Sequence, residues 1–366
     1  MMEDDLANNA KNPTPGIIIN HPKGNDVYKD VPKDYTGKAV TPENFVAILE
    51  GNKQALDGIG SGKFLKSGPN DHVFIYFADL GAPGLIAFPQ GELAATKLNK
   101  TIRYMYEKKM YGKMVIYIEA CESGSMFEDI LPRDINVYAT TSANRKEDSY
   151  ACYLDHERDT FLGDYYSVNW LEDSDKEILT QETLNRQFKK VKSKTQKSHV
   201  QVFGDLKMRG MHVSEFFGRK IADPIILPRV EMNLVKSRDV PIEILKKKYV
   251  ISKSVDEQVM ILKKLYKIFN NRLFLSDKVS EILTEIFHDQ KKEFDVKDKH
   301  YRLKNFDCYD KIREHFNEKC FNLSKNTYAL NFLYILVNLC EKEIAAEQAI
   351  EAMERVCVHP PISDIV

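Results

Sequence analysis

The chain has 366 residues, of which 43% are hydrophobic and 29% are charged. This composition is typical of a globular protein, and the length allows two or three domains. Its 53 basic and 54 acidic residues leave a formal net charge of -1, so the overall charge does not favour a nucleic acid as partner. No apolar run reaches the roughly 20 residues that cross a bilayer, and the acidic N-terminus does not resemble a secretory signal.

The first 200 residues alternate between strand and helix patterns. An apolar run at 16–20 predicts a short strand. Thr41 followed by Pro42 predicts the start of a helix, because a capping hydroxyl precedes a proline at the first helical position. Further strands are predicted at three β-rich runs, 72–78, 114–120 and 135–141.

The segment between the first two of these β-rich runs carries Leu98, Ile102 and Met105 on one helical face. Strand, helix and strand at this spacing predict a parallel or mixed sheet that is covered on both faces. Such sheets carry functional residues at the carboxyl ends of their strands. The loops at 79–81 and 121–124 are therefore the candidate functional segments.

The pattern changes at residues 218–241, where Gly and Pro interrupt a segment that has neither a strand nor a helix period. This is typical of a linker. Beyond it, apolar residues repeat with helical spacing over 279–287, with Ser276 as the predicted N-cap, and 330–339 is apolar almost all round. The C-terminal third is therefore predicted to be a helical domain.

The six cysteines divide into two isolated residues, Cys121 and Cys152, and a group near the C-terminus. That group comprises Cys308, Cys320, Cys340 and Cys357. It has no close Cys-x-x-Cys pair, so two disulfides in an oxidising compartment are favoured over a zinc site, with four buried thiols as the remaining alternative. Two Asn-x-Ser/Thr triplets, at Asn99 and Asn322, predict N-glycosylation in such a compartment.

Cys121 is a candidate nucleophile because it follows a strand and precedes a turn of small residues. An isolated cysteine at a strand end is more often a small buried apolar residue. However, the string Tyr117-Ile-Glu-Ala-Cys121-Glu-Ser-Gly-Ser-Met126 resembles the active-site segment of the legumains, the asparaginyl endopeptidases. Segments that resemble the legumains in the same order are 12–16, 31–37, 64–68, 137–141 and 164–170.

The resemblance covers essentially the whole chain and includes the four-cysteine region, which is similar to the legumain prodomain. It implies a caspase-like, three-layer α/β/α sheet domain followed by an α-helical prodomain. The implied boundaries are a peptidase domain over 1–217, a linker and activation region over 218–256, and a prodomain over 257–366. A related transamidase subunit that attaches lipid anchors is the rival interpretation, and the four-cysteine helical region favours the legumains.

The resemblance also implies roles for single residues. Cys121 matches the nucleophile, and Gly81 matches the residue whose backbone N–H helps to bind the oxyanion. Glu119 and Asp164 match acidic residues of the pocket that receives the Asn side chain, whose NH₂ group needs hydrogen-bond acceptors. Asp79 matches an acidic residue that can cyclise to a succinimide. Without the resemblance, Glu119 would be interpreted as an ion-paired strand carboxylate and Asp164 as a loop or capping residue. No metal or cofactor is implied.

One position departs from the family pattern. Legumains have Asp-His-Gly where residues 79–81 of this chain are Asp-Leu-Gly, so Leu80 takes the place of the catalytic histidine. Leucine can neither deprotonate the Cys121 thiol nor protonate the leaving amine, and such help is worth about 10²–10⁴-fold. His72 is eight strand residues away, roughly 26 Å at about 3.3 Å per residue. His156 lies in a charged loop.

The chain is therefore predicted to be an inactive or severely impaired asparaginyl endopeptidase. The alternative is a non-catalytic pseudoprotease that binds substrates or cystatin-like inhibitors. A second departure concerns the N-terminus, because residues 1–5 resemble an interior stretch of the family. The sequence is therefore expected to lack a signal, a first strand and the arginine of the specificity pocket, through either an incomplete gene model or loss of the segment.

The prodomain of the family implies the disulfides Cys308–Cys340 and Cys320–Cys357, and a position as an intramolecular lid over the face that contains Cys121. Legumains release this lid by cleavage after Asn or Asp. Here, the segment 251–255 has no Asn, although Asp256 follows it and Asn233 precedes it. The resemblance further implies peptide or protein substrates with Asn before the scissile bond, and a location in the lysosome, in the vacuole or outside the cell.

Overall fold

The computed structural model describes residues 2–3, 8–9, 12–218, 223–287 and 289–366. Residues 1 and 4–5 of the predicted truncated N-terminus, and 219–222 of the predicted linker, lie outside the described residues. The chain divides into two compact units. The first comprises 1–80 and 85–237, and the second comprises 81–84 and 238–366.

The strands of the described part of the chain are β1 (Met2–Glu3), β2 (Tyr35–Thr36), β3 (His72–Ala78), β4 (Gly81–Ala82), β5 (Leu85–Ala87), β6 (Glu92–Ala94), β7 (Lys113–Glu119), β8 (Val137–Thr141), β9 (Tyr150–Asp155), β10 (Thr160–Asp164), β11 (Gln201–Gly204) and β12 (Val235–Lys236). The α-helices are α1 (Pro42–Leu49), α2 (Ala95–Glu107), α3 (Tyr165–Lys176), α4 (Leu184–Lys194), α5 (Ser214–Phe217), α6 (Val240–Ile251), α7 (Val255–Phe287), α8 (Gln290–Asp298), α9 (Phe306–His315), α10 (Leu333–Glu341) and α11 (Ala346–Val356).

The first unit is built on a four-stranded sheet in the order β11-β8-β7-β3. β3 pairs with β7 and β7 pairs with β8, both in parallel, while β11 is antiparallel to β8. The predicted mixed sheet is therefore confirmed, with its three strands at the positions that the β-rich runs indicate. In the register of β3 with β7, Ala78 lies opposite Glu119, so these two strands end at the same edge.

Both faces of this sheet are covered. Val115 and Tyr117 of β7 share one hydrophobic core with Trp170 of α3 and Val191 of α4. Because successive strand residues point to opposite faces, the equally buried Met114, Ile116 and Ile118 face the other side. Full burial of each such side chain contributes about 1.5–3 kcal/mol. This arrangement confirms the predicted three-layer α/β/α domain.

Local sequence signals explain some elements and mislead at another. Thr41 Oγ1 accepts a hydrogen bond from the Asn44 backbone N at 3.2 Å, so α1 begins at the predicted cap. The predicted strand at 16–20 is wrong. Its backbone is used in a loop, since the Ile18 N–H donates to Asp26 Oδ1 at 3.2 Å and the Ile18 carbonyl accepts from the Val27 N–H at 2.8 Å.

A second, antiparallel sheet has the order β10-β9-β12. Its strand β12 lies within the predicted linker and pairs Val235 with Ala151 and Lys236 with Tyr150 of β9. This part of the linker is therefore held in the first unit by sheet hydrogen bonds, which a period-based reading of the sequence does not reveal.

The second unit is helical. Its longest helix, α7, has 33 residues, so the predicted helix start at Ser276 is wrong. Ser276 lies inside α7, where its carbonyl accepts a hydrogen bond from Ser280 Oγ at 3.0 Å. Helices α6 and α7 pack through Ile242, Ile261 and Leu265. No helix in the described ranges has both the length and the apolar character needed to span a membrane.

Two disulfides join elements of the second unit. Cys308 of α9 is bonded to Cys340 of α10, and Cys320 is bonded to Cys357, which directly follows α11. Their Cα–Cα distances of 5.9 and 5.0 Å lie in the usual range for disulfides. These are the pairs that the family resemblance implies. The alternatives of a zinc site and of four buried thiols are therefore wrong.

The two predicted glycosylation sites differ in environment. Asn99 lies in α2 with only 4% of its surface exposed, and its Nδ2 donates to the carbonyls of Ala95 and Met126, both at 2.8 Å. The predicted glycan at Asn99 conflicts with this burial, because Nδ2 is the atom that a glycan would modify. Asn322 is exposed, and its glycosylation stays a prediction.

We expect the double substitution Cys320→Ala and Cys357→Ala to lower the free energy of unfolding of the second unit by about 2–4 kcal/mol, because the bridge restricts the unfolded chain across a sequence separation of 37. Urea unfolding followed by circular dichroism measures this change. Cys152→Ala, which removes a buried free thiol from the first unit, is the control. Equal stability of the double variant and the parent would contradict the expectation, as would four free thiols in a peptide map made without reductant.

Candidate active site

Two loops meet at the carboxyl edge of the central sheet. Ala78 ends β3 opposite Glu119, which ends β7, and the Asp79 N–H donates to the Glu119 carbonyl at 3.2 Å. Leu80 and Cys121 each lie two residues beyond these paired strand ends. The structure therefore brings the position of the expected base and the predicted nucleophile to the same edge of the sheet.

The Leu80 loop is fixed by its own backbone. The Leu80 N–H donates to Asp79 Oδ1 at 2.7 Å, and the Leu80 carbonyl accepts from the Ala87 N–H at 2.9 Å. The half-buried Leu80 side chain supplies no proton acceptor. The short contact between Asp79 Oδ1 and the Leu80 nitrogen involves the two groups that a succinimide would join, and succinimide formation at Asp79 stays a prediction.

The two histidines that the sequence offers as substitutes lie elsewhere. His72 begins β3, at the opposite end of the strand from Leu80, where its ring stacks on Phe216 with centroids 5.1 Å apart. His156 lies in the turn that follows β9. Neither of these two histidines therefore lies where it could replace a base at position 80.

Cys121 is buried and is not part of a disulfide. The Ser149 N–H donates to Cys121 Sγ at 3.2 Å, and Ser149 Oγ lies 3.4 Å from the same sulfur. An N–H donor that points at sulfur favours the thiolate over the thiol. Ser149 is thus a functional candidate that sequence reasoning missed, because a single serine in a polar loop carries no pattern.

A chain of hydroxyl groups leads from this sulfur to a carboxyl group. Ser149 Oγ lies 3.0 Å from Ser237 Oγ, which donates to Asp164 Oδ1 at 3.4 Å. The Ser237 N–H also donates to the Ser149 carbonyl at 3.0 Å. Ser237 directly follows β12, so a residue of the predicted linker contacts both a Cys121 neighbour and a predicted pocket residue. No sequence signal indicates this.

The two predicted pocket carboxyl groups converge at the N-terminus of α3. Glu119 is 2% exposed, and its Oε2 accepts from the backbone N and the Oγ of Ser167, both at 2.9 Å. Ser167 lies in the first turn of α3, and Asp164 directly precedes that helix. The partial positive charge of a helix N-terminus favours carboxylates there.

Burial raises the pKa of Glu119, and the neighbouring Asp164 charge raises that pKa further. Asp164 is more exposed than Glu119, yet burial is also the largest cause of its raised pKa. Two desolvated carboxyl groups at close range disfavour double ionisation. Glu119 Oε1 is buried and, within the part of the chain that the structure describes, accepts no hydrogen bond. The site therefore combines protonatable carboxyl groups with acceptor capacity.

Gly81 belongs to the second unit. Its carbonyl accepts from Arg238 Nη2 at 2.5 Å, and the nearby Pro83 carbonyl accepts from the Tyr309 hydroxyl at 2.6 Å. Both contacts lie within that unit. The contribution of the Gly81 N–H to an oxyanion hole stays a prediction.

The Glu119 environment predicts a pH dependence of stability. Because folding raises the pKa of Glu119 above its ordinary value of 4.5, the folded chain holds a proton that the unfolded chain releases. The stability that this proton contributes is fully present below about pH 4.5. It is lost as the pH rises from there through the raised pKa of Glu119, which is about 8, at about 1.4 kcal/mol per unit of pKa elevation. We expect the urea midpoint to fall between about pH 5 and about pH 7.

Glu119→Gln mimics the protonated carboxyl group, so it should remove the part of this fall that belongs to Glu119 and leave the part that the raised pKa of Asp164 contributes at the lower end of the range. Glu215→Gln in α5 is the control and should retain the pH dependence of the parent. A fall in the Glu119→Gln midpoint as large as that of the parent would contradict the assignment of the linked proton to Glu119.

Comparison with known proteins places the chain in a family. The model of the peptidase C13 family matches residues 1–219, and the model of the legumain prodomain matches 263–357. Legumain of Rattus norvegicus is 50% identical over 98% of this chain and 83% of its own length. Legumain of Homo sapiens is 48% identical over 98% and 84%, respectively. The vacuolar-processing enzyme delta-isozyme of Arabidopsis thaliana is 38% identical over 97% and 81%. The chain therefore belongs to the peptidase C13 family, the legumain family of cysteine peptidases, and includes the legumain prodomain.

Proposed function

We propose that this chain has the active-site arrangement of an asparaginyl endopeptidase, with Cys121 as nucleophile, and that Leu80 leaves it inactive or severely impaired. The observation that carries the proposal is the register of β3 with β7. It gives Leu80 and Cys121 equivalent positions beyond paired strand ends, where a base and a nucleophile would cooperate. An apolar side chain in the first of these positions removes the proton acceptor and leaves the nucleophile in place.

In the proposed reaction, Cys121 Sγ attacks the carbonyl carbon of the scissile bond and forms an acyl-enzyme, which water then hydrolyses. The Ser149 N–H favours the attacking thiolate through its 3.2 Å contact with Sγ. The Gly81 N–H would stabilise the oxyanion that develops on the carbonyl oxygen. The leaving amine needs a proton, and Leu80 cannot supply one. Acylation is therefore impaired, and hydrolysis of the acyl-enzyme is impaired as well, because Leu80 cannot accept a proton from the attacking water.

The carboxyl pair supports selectivity for Asn before the scissile bond. A carboxamide presents an NH₂ donor and a carbonyl acceptor, so its pocket must offer both an acceptor and a donor. Glu119 and Asp164 supply acceptors when ionised, and a carboxyl group that keeps its proton supplies a donor. Their raised pKa values favour retention of one proton between them. Peptide and protein substrates with Asn at this position are the proposed ligands.

The second candidate function is that of a pseudoprotease, which binds Asn-containing substrates or cystatin-like inhibitors without cleavage. The same observation favours it, because Leu80 removes chemistry and leaves the carboxyl pair intact. In either case we propose a lysosomal, vacuolar or extracellular location, with a glycan at Asn322. We also propose that 1–217 acts as the peptidase domain, 218–256 as the linker and activation region, and 257–366 as the prodomain lid.

The decisive substitution is Leu80→His, tested in the protein after its prodomain has been removed by proteolysis. It should raise cleavage of a fluorogenic Asn peptide by about 10²–10⁴-fold over the Leu80 parent, because the imidazole can accept the thiol proton and protonate the leaving amine. Initial rates at acidic pH measure the gain.

Leu80→Gln is the matched control, because it adds polarity without a base and should give no gain. Cys121→Ala in the Leu80→His background should abolish cleavage. A parent as active as an ordinary legumain would contradict the proposed impairment. A folded but inert Leu80→His protein that still binds an uncleaved Asn peptide would favour the pseudoprotease.

A further inference from the structure

We propose that Glu147, together with His199, is a positioning residue that holds the Ser149 N–H against the Cys121 sulfur. The inference rests on the proposed role of Cys121 as nucleophile. Residues 142–149 are here named the thiol-side loop. Neither Glu147 nor His199 touches the sulfur, so their effect would be transmitted through the backbone of this loop.

The thiol-side loop contacts two successive residues, Cys121 and Glu122. The Glu122 N–H donates to the Glu147 carbonyl at 2.7 Å, and the Ser149 N–H donates to Cys121 Sγ at 3.2 Å. Glu122 has a φ of 53°, a left-handed conformation that non-glycine residues hold only when their surroundings enforce it. The position of residues 147–149 therefore determines both the turn after the nucleophile and the donor to its sulfur.

The Glu147 carboxylate anchors this loop. Its Oε2 accepts from the backbone N–H groups of His199 at 2.9 Å and Asn144 at 3.3 Å, and its Oε1 lies 2.5 Å from His199 Nδ1. The Glu147 side chain thus links two parts of the thiol-side loop and also links this loop to the segment before β11. An exposed ion pair alone adds little stability, but a carboxylate that accepts N–H groups from two segments fixes their relative position.

Close packing leaves the thiol-side loop little freedom to move independently. The Gly124 N–H donates to the Ala143 carbonyl at 3.0 Å, and a Cβ atom at Gly124 would lie only 3.1 Å from that carbonyl oxygen. The anchor itself lies near the surface, since the His199 side chain is 71% exposed and that of Glu147 is 22% exposed. Substitutions at the anchor can therefore be made without entering the site.

A second Glu–His pair provides a matched control. Glu215 Oε1 accepts from the His212 backbone N at 2.8 Å and lies 3.7 Å from His212 Nδ1. The Glu215 carbonyl contacts the ring of His72 at the amino end of β3, which is the opposite end of the strand from the Cys121 edge. The two pairs share their chemistry and differ in their relation to Cys121.

The test is a pH titration of the Cys121 thiol in the full-length chain. The titration is monitored by NMR of cysteine labelled with ¹³C at Cβ, and the Cys121 signal is identified by its loss in Cys121→Ala. The titratable groups connected to Cys121 by the contacts above are Glu122, Glu147 with His199, and Asp164. Glu147→Ala should move the midpoint upward by about one pH unit, a tenfold loss of thiolate at a given pH, because the Ser149 donor is no longer held. Glu147→Gln, which keeps an acceptor oxygen, should restore most of the parent value.

Glu215→Ala should leave the midpoint unchanged. An unchanged midpoint in folded Glu147→Ala, or an equal shift in Glu215→Ala, would overturn the proposal. If Glu147→Ala does not fold, the same titration is made with His199→Ala, which changes an exposed side chain. A smaller upward shift supports the proposal, and no shift overturns it. The titration requires no peptide cleavage, so failure of the proposed activity after Leu80→His would be recognised separately.

Discussion

The parallel pairing of β3 with β7 is the constraint on which the candidate site depends. Strands that run in the same direction end at the same edge, and the pairing of Ala78 with Glu119 fixes how far each following loop has advanced at that edge. A shift of the register by one residue would reverse the faces of all side chains in one strand. Both faces of β7 are close-packed, so such a shift would exchange Val115 and Tyr117 of one core with Met114, Ile116 and Ile118 of the other, and the difference in side-chain shape opposes it. Packing on the two faces therefore determines the alignment of Leu80 with Cys121.

The polar groups of the site depend on this alignment in turn. Glu119 is the last residue of β7, so the same strand end that precedes Cys121 also places a carboxyl group at the N-terminus of α3. Ser149 and Ser237 then join the sulfur to Asp164 through successive hydroxyl contacts of 3.4, 3.0 and 3.4 Å. Thiol and carboxyl groups are therefore parts of one hydrogen-bonded network, in which a change at one member alters the electrostatic environment of the others.

The sequence predicts the elements whose burial is regular. The three main strands, α1 and the inner face of α2 follow from apolar runs, a helix cap and helical spacing. The start of α7 escapes prediction, because Val255, Val259 and Tyr266 are exposed while Ile261 and Leu265 are buried, so apolar residues occur around the helix and obscure its period. The disulfide pairs follow only from the family resemblance. Ser149 and Glu147 are polar loop residues, and Ser237 begins a single 3-10 turn, so none of them has a periodicity. Their convergence depends on contacts between residues up to 88 positions apart.

The distribution of cysteines places opposite demands on the redox conditions in which the protein is handled. The first unit contains Cys121 and Cys152, which are not part of a disulfide, whereas the second unit is cross-linked by both disulfides. Each bridge has one cysteine that is only partly buried, Cys308 or Cys357, and so presents a side that a small thiol can approach. A strong reductant that protects the Cys121 thiol from oxidation therefore endangers the cross-links of the helical unit. A buffered thiol–disulfide mixture is the environment in which both units can keep their chemistry.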